Sequence, residues 1–326
     1  MSTVFNASTA IASPDGLAAR LAAMLRNNRS AFAILALVAL TAVAVPSLFK
    51  PDNLLNVALQ FAPLGIVVVG QTFVIMVRGL DLSVGSVMST AAVIATAFSG
   101  TNADLPWILL LAIAMGALVG AINGLLVTKR NVSPFLATLA TMIVLQGVRG
   151  AWTQGAPSGN VPPFLRTLGA GASAGIPNNV VILLAVAGLA YALLHLASFG
   201  RRVYIVGGGR NAARLVGIDV DRVSMVAYVL SGIFAAIAGL VLCGYSGVVD
   251  NWVGKNYELD SIVAAVMGGV ALSGGKGRIA GALFGAAILV VLSNAVVIIG
   301  LPVSVQLVIK GVIVVLAAAV YARKSQ

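Results

Sequence analysis

The chain has 326 residues, of which 60% are hydrophobic and only 9% charged, with 36 glycines and a single Cys. Soluble domains carry about 25% charged residues, so this composition excludes a water-facing globular surface; low charge excludes disorder, and one Cys excludes a disulfide scaffold. The excess of 20 basic over 9 acidic residues points to the cytoplasmic loops of a polytopic membrane protein and not to nucleic acid.

A helix needs roughly 20 apolar residues to cross about 30 Å of hydrocarbon. In chain order, the polar lead over 1–30 reads as a cytoplasmic tail. Arg26 and Arg29 then precede an apolar run, in which Ala42-Val43-Ala44 resembles a signal-peptidase site. The run continues to about Phe49, which favours an uncleaved first helix over a removed leader. Apolar segments follow at about 31–49, 54–77, 82–99, 105–127, 133–150, 178–198, 223–245, 258–272, 278–299 and 303–322. Those near 82–99, 133–150 and 258–272 are shorter and interrupted by Ser, Thr, Gly or Pro, so broken or re-entrant helices are expected there, shielded by protein or a cavity. The fold class is therefore an all-α bundle of about ten spans, with a transmembrane domain over 31–322 and a short cytoplasmic tail at 323–326.

Charge orients the bundle. With the N-terminus inside, fifteen basic residues fall on the cytoplasmic side: Arg20, Arg26, Arg29, Arg78, Lys129, Arg130, Arg201, Arg202, Arg210, Arg214, Arg222, Lys276, Arg278, Arg323 and Lys324. Only Lys50, Arg149, Arg166 and Lys255 face the other side, while Lys310 lies inside the last span, free to pair inwards or to snorkel. Both termini are expected in the cytoplasm.

Two motifs fail on context. Gly207-Gly208-Gly209-Arg210-Asn211-Ala212 fits a dinucleotide-binding pattern, but apolar spans flank it where a βαβ unit is required. Gly274-Gly275-Lys276-Gly277 lacks the Ser/Thr after Lys and has Val270 where a phosphate loop needs Gly. The chain therefore carries no ATPase site of its own. With one His, one Cys and one Glu, it also offers no acid–base pair, and neither a metal site nor a cofactor is expected.

Glycine stripes at Gly116, Gly120 and Gly124, and at Gly277, Gly281 and Gly285, predict close helix approach within the bundle. Polar residues at membrane depth, costly unless partnered or wet, are the candidate substrate pathway: Gln71, Thr72, Ser83, Ser86, Asn123, Thr138, Thr141, Gln146 and Asn294. Hydroxyls and amides without charge suit a neutral hydroxylated solute, although Ser and Thr also bond back to their own helix. Asp81 and Ser83 are placed to cap a helix starting near residue 82. In the long cytoplasmic loop 199–222, Asn211 to Val216 predicts a short helix with Asn211 as N-cap and Gly217 as left-handed C-cap. The Gly-, Pro- and Ala-rich stretch 151–177 is long enough for an external docking surface or a passive linker.

Three blocks together resemble the permease subunits of bacterial ABC importers for ribose and related sugars. They are Gly70-Gln71-Thr72 with Gly79-Leu80-Asp81-Leu82-Ser83-Val84-Gly85-Ser86; Asn123-Gly124-Leu125 with Val132-Ser133-Pro134-Phe135 and Thr138-Leu139; and a C-terminal set. That set comprises Gly200-Arg201, Gly207, Asn211-Ala212-Ala213-Arg214, Gly217-Ile218, Tyr257-Glu258-Leu259-Asp260, Gly268-Gly269 and Gly274-Gly275. The blocks cover about residues 54–322. Arg78 departs from the pattern, since the family usually has a small residue there. The resemblance implies a bacterial inner-membrane protein among lipid, working as a dimer with an identical or paralogous permease. Cytoplasmic ATP-binding subunits would dock on the 199–222 loop through Arg201, Arg202, Asn211, Ala212, Ala213, Arg214, Gly217 and Ile218, and a periplasmic sugar-binding protein would deliver solute. Gly85, Gly274 and Gly275 are expected at structural turns. The related branched-chain amino-acid permeases share this architecture, and an ion-coupled carrier is the reading outside it.

Overall fold

A computed structural model describes residues 45–302, 304–308 and 310–312. The expected tails at 1–30 and 323–326, and most of the expected first and last spans, lie outside these residues. Within them the regular secondary structure is helical apart from one hairpin of two-residue strands, β1 Ala172–Ser173 with β2 Ile176–Pro177.

Six helical stretches are long and apolar enough to cross a membrane. They are α1 (Pro51–Met76), α3 (Leu105–Lys129), α4 (Pro134–Thr153), α6 (Asn178–Tyr191, continued by a π turn Ala192–Leu196), α9 (Val220–Ser246) and α11 (Ile279–Ile298). Between them lie α2 (Val84–Thr96), α5 (Pro163–Ala170), α7 (Ser198–Gly208), α8 (Arg210–Leu215) and α10 (Tyr257–Met267). Two of the three interrupted segments are short: α2 has 13 residues and α10 has 11. The third expectation is corrected. Residues 134–153 form one unbroken helix, because Pro134 sits at its first position, where a missing N–H costs nothing.

α1, α2 and α9 form the buried centre, and α3, α4 and α6 present mostly exposed apolar faces. Such an inside-out gradient is what a lipid-facing bundle requires, since its outer residues have no water to avoid. The glycine stripes let backbones touch within the chain. A Cβ at Gly116 or Gly120 would meet the carbonyls of Gly232 or Tyr228 on α9, and at Gly285 it would meet that of Ala264 on α10. The 151–177 stretch is an ordered element, with Leu165 and Gly169 of α5 buried and Gly169 lying against Gly244 and Tyr245 of α9.

Candidate functional site

A buried polar network lies where α1, α2, α3, α4 and α9 converge. The Asp81 carboxylate accepts from the Ser83 N–H at 3.0 Å, the Ser83 hydroxyl at 2.6 Å and the Ser231 hydroxyl at 2.8 Å. Asn123 donates to the Ser83 hydroxyl at 2.9 Å and accepts from Thr141 at 2.7 Å. The Gln71 amide brackets the Asp81 backbone, donating to its carbonyl at 3.2 Å and accepting from its N–H at 3.3 Å. Thr138 accepts from the Leu82 N–H at 3.1 Å. The broken stretch between α1 and α2 thus has its polar atoms satisfied from three neighbouring helices, as hydrocarbon depth demands.

Helix α2 starts at Val84 with Ser83 as its N-cap, but neither side chain caps it in the expected way. Asp81 accepts from Ser83 itself, and the Ser83 hydroxyl is turned to Asp81 and Asn123. Of the polar residues singled out from the sequence, Gln71, Ser83, Asn123, Thr138 and Thr141 come together in this network. Thr72 does not: its hydroxyl bonds back to the Val68 carbonyl at 2.7 Å. Asn294 is also elsewhere, accepting from Asn53 at 2.9 Å. Lys310 pairs inwards with Asp260 at 2.7 Å.

Ser86 and Gln146 belong to a second group around Arg149. This arginine is 2% exposed and has no carboxylate in salt-bridge range among the described residues. Its Nε donates to the Asn251 carbonyl at 3.0 Å, and its Nη1 to the Ser86 carbonyl and the Thr90 hydroxyl at 3.1 Å each. Asn251 also donates to Thr153 at 2.8 Å, and the Gly254 N–H donates to Ser89 at 2.9 Å. The segment 247–256 is thereby pinned against α2 and α4. Gly85 permits the approach, because a Cβ there would overlap Glu258 and the Gly254 carbonyl. A niche of only about 20 Å³ remains among Ser86, Gln146, Arg149, Trp252 and Glu258, room for one water. The charge distribution assigns Arg149 to the external side without signalling that it is buried. Its burial depends on a contact 102 residues away in sequence, which no local pattern signals.

α1 ends with Arg78 in the left-handed region, at φ 65°. The Arg78 N–H donates to the Ile75 carbonyl and the Gly79 N–H to that of Val74, both at 2.9 Å, closing a Schellman turn. The guanidinium then donates to the last carbonyls of α7, Gly207 at 2.8 Å and Gly208 at 2.9 Å. Gly274 and Gly275 have positive φ, and the Gly275 N–H donates to the Met76 carbonyl at 3.0 Å. Gly207 allows this junction, since a Cβ there would strike Met76 and Gly275.

The 199–222 loop holds α7 and then α8. The expected N-cap is corrected: α8 begins at Arg210 with Gly209 before it, so Asn211 lies inside the helix. The extended backbone at Gly209 (φ −177°) breaks α7 from α8 two residues earlier than side-chain capping propensity suggested. At the other end Gly217, at φ 78°, donates to Arg214 and Ile218 donates to Ala213, both at 3.0 Å, a complete Schellman cap. Ala213 is buried within the chain, whereas Leu215 and Val216 are 89% and 69% exposed. Arg201, Arg202, Asn211, Ala212 and Arg214 are exposed, and Arg214 and Lys129 both reach Asp221, at 3.5 Å and 3.3 Å. A cleft of about 590 Å³ opens beside Val216, Gly217 and Ile218, with Arg202 and Arg222 on its walls.

Comparison with known proteins supplies the family. The sequence family described as branched-chain amino acid transport system / permease component matches residues 53–318. The ribose import permease protein of Escherichia coli (strain K12) is 36% identical over 307 residues, covering 93% of this chain and 95% of the relative. The ribose import permease protein of Bacillus subtilis (strain 168) is 36% identical over 291 residues, 89% of this chain and 90% of the relative. A galactose/methyl galactoside import permease protein from Haemophilus influenzae is 29% identical over 92% of this chain and 96% of its own length. No solved structure gives a significant match. The chain, a multi-pass bundle with a buried polar break before α2 and an exposed, glycine-capped helix α8, matched almost end to end by import permeases, belongs to this permease family.

Proposed function

We propose that this chain is the pathway-forming subunit of an ABC importer for a neutral sugar or polyol of the ribose type, in a bacterial inner membrane. The observation that carries this reading is 36% identity to ribose import permeases over 93% of the chain. The polar inventory supports it: amides and hydroxyls at depth suit a solute that trades water for hydrogen bonds, and Asp81 is held by serines. The buried network holds the α1–α2 break in shape, and the Arg149 group, with Ser86 and Gln146, closes the external end of the route. Gly85, Gly274 and Gly275 serve as close-approach and turn positions.

Energy comes from separate ATP-binding subunits seated on α8. Leu215 and Val216 offer an apolar tip, and Arg201, Arg202 and Arg214 surround it with positive charge suited to an acidic-rimmed groove. A second permease completes the pathway, and an external sugar-binding protein delivers the solute.

The test is uptake of labelled ribose and related sugars by proteoliposomes holding the permease, its ATPase and its binding protein. Uptake that needs ATP and the binding protein is expected. Uptake by the permease alone under an ion gradient would establish the carrier reading instead. Arg214→Glu is expected to lower ATPase recovery or uncouple hydrolysis from uptake. Wild-type behaviour in both Arg214→Glu and Gly217→Val would leave the loop's charges a purely topogenic role.

A further inference from the structure

A basic cleft of about 550 Å³ opens where α6 ends and α11 begins, away from α8 and from the polar network. Its walls carry His195, Tyr204, Lys276 and Arg278, and glycines 268, 269 and 281 form part of its lining. No acidic residue lines it. Lys276 and Arg278 are exposed, with their charge free to meet an anion.

One wall is built and not accidental. The π turn Ala192–Leu196 widens the end of α6 and sets the His195 ring 4.6 Å from that of Tyr191 and 6.5 Å from that of Tyr204. The Tyr204 hydroxyl donates to the Gly277 carbonyl at 2.9 Å, tying α7 to the loop before α11. Burial pushes the Tyr204 hydroxyl above the ordinary tyrosine range, against the pull of the nearby Arg278 charge, so it remains a neutral donor. π turns of this kind concentrate at functional positions.

The position selects the ligand class. α6 with its π turn ends at Leu196 and α11 begins at Ile279, and the distribution of basic residues assigns this end of the bundle to the cytoplasmic headgroups. Leu189, Leu196 and Phe284, on the same two helices, are exposed apolar residues suited to hydrocarbon. Basic pockets between transmembrane helices on this side suit anionic lipid headgroups, and interfacial Tyr rings suit the boundary above the acyl chains. We propose that this cleft binds the phosphodiester headgroup of an anionic phospholipid of the cytoplasmic leaflet, through Lys276 and Arg278. A cytoplasmic phosphate ester shares the anion chemistry but would make no use of the apolar wall below.

The test uses the purified full-length permease in phosphatidylcholine nanodiscs with and without phosphatidylglycerol, with bound lipid counted by native mass spectrometry after release. Wild type is expected to retain phosphatidylglycerol selectively. Lys276→Gln/Arg278→Gln is expected to lower that retention roughly tenfold or more, since each basic contact to an anionic surface is worth about fivefold. The single variant Arg278→Gln, expected to lose severalfold, serves if the double variant elutes aggregated. Lys129→Gln/Arg130→Gln removes the same charge elsewhere on the cytoplasmic side and is expected to retain lipid. Equal loss in that control, or wild-type retention in the Lys276 and Arg278 variants, would overturn the site. Displacement of the lipid by millimolar glycerol 3-phosphate would overturn the lipid assignment in favour of a soluble phosphate ester.

Discussion

Asn123 holds two hydroxyls with one amide, and its value lies in having no spare atom. Replacing it with Leu leaves the buried Ser83 hydroxyl without its donor and removes one of the two acceptors of Thr141, which keeps the Ala137 carbonyl. Asn123→Leu is expected to cost about 1–3 kcal/mol of stability, read as a lower unfolding temperature of the detergent-purified protein, together with reduced uptake. An unchanged unfolding temperature would mean that the amide is not a structural partner. Arg149 works on a larger scale because it joins three elements at once. Arg149→Met strips donors from the Asn251 and Ser86 carbonyls, and bonds to a charged group contribute about 1.5–3 kcal/mol each. In a Cys243→Ala background, a Cys introduced at Lys255 is expected to react faster with an external thiol reagent in Arg149→Met than with Arg149 present. Arg78 shows a strained residue kept for its side chain. Its left-handed backbone costs of order 1 kcal/mol, offset by two bonds to the end of α7. Arg78→Gly removes the strain and the clamp together, so a near-neutral change in stability is expected, whereas Arg78→Ala keeps the strain and is expected to unfold at lower temperature than Arg78→Gly.

Elements here are positioned by backbone contact more than by large side chains. α3 and α9 meet at Gly116, Gly120 and Gly232, where an added methyl would have to push carbonyls apart. Gly120→Ala is therefore expected to destabilise the protein by about 1–3 kcal/mol. Gly147 on α4 gives the contrasting case: a Cβ there meets nothing within 4 Å, and Gly147→Ala is expected to stabilise by about 0.5–1 kcal/mol through helix propensity alone. Thermal unfolding of the two variants side by side checks both signs. α8 has six residues, too few to be helical in isolation; its ends are held by Gly209 and by the Gly217 cap. Gly217→Val places a β-branched residue at φ 78° and is expected to disorder this helix while leaving the remaining bundle folded, read as faster proteolysis confined to the 199–222 loop.

For the whole molecule, the expected orientation rests on the fifteen-to-four distribution of basic residues. A Cys at Arg210 in the Cys243→Ala protein is expected to resist an impermeant thiol reagent added outside intact cells and to react once the cells are opened. Labelling from outside would invert the orientation and with it the assignment of α8 to the ATPase side.

Composition alone determined that this protein lives in a membrane, because 9% charged residues cannot cover a soluble surface. Local sequence also marked the glycine stripes, the Gly217 cap and the interrupted segments at α2 and α10, since spacing, left-handed backbone and polar breaks are signals carried by neighbours in the chain. It marked five of the residues that meet in the buried network as well, but as lining for a solute. Tertiary structure decided that they satisfy one another, by folding the α1–α2 break against Asn123, Thr141 and Ser231 from three other helices. It separated Thr72, which turns to its own helix, and Asn294, which pairs with Asn53. It also buried Arg149, whose side of the membrane the charge count addressed but whose surroundings it did not. The cost of an unpaired polar group at membrane depth explains why these pairings exist, and the partner of each is set by which helices touch, a property of the packed bundle that no stretch of sequence contains.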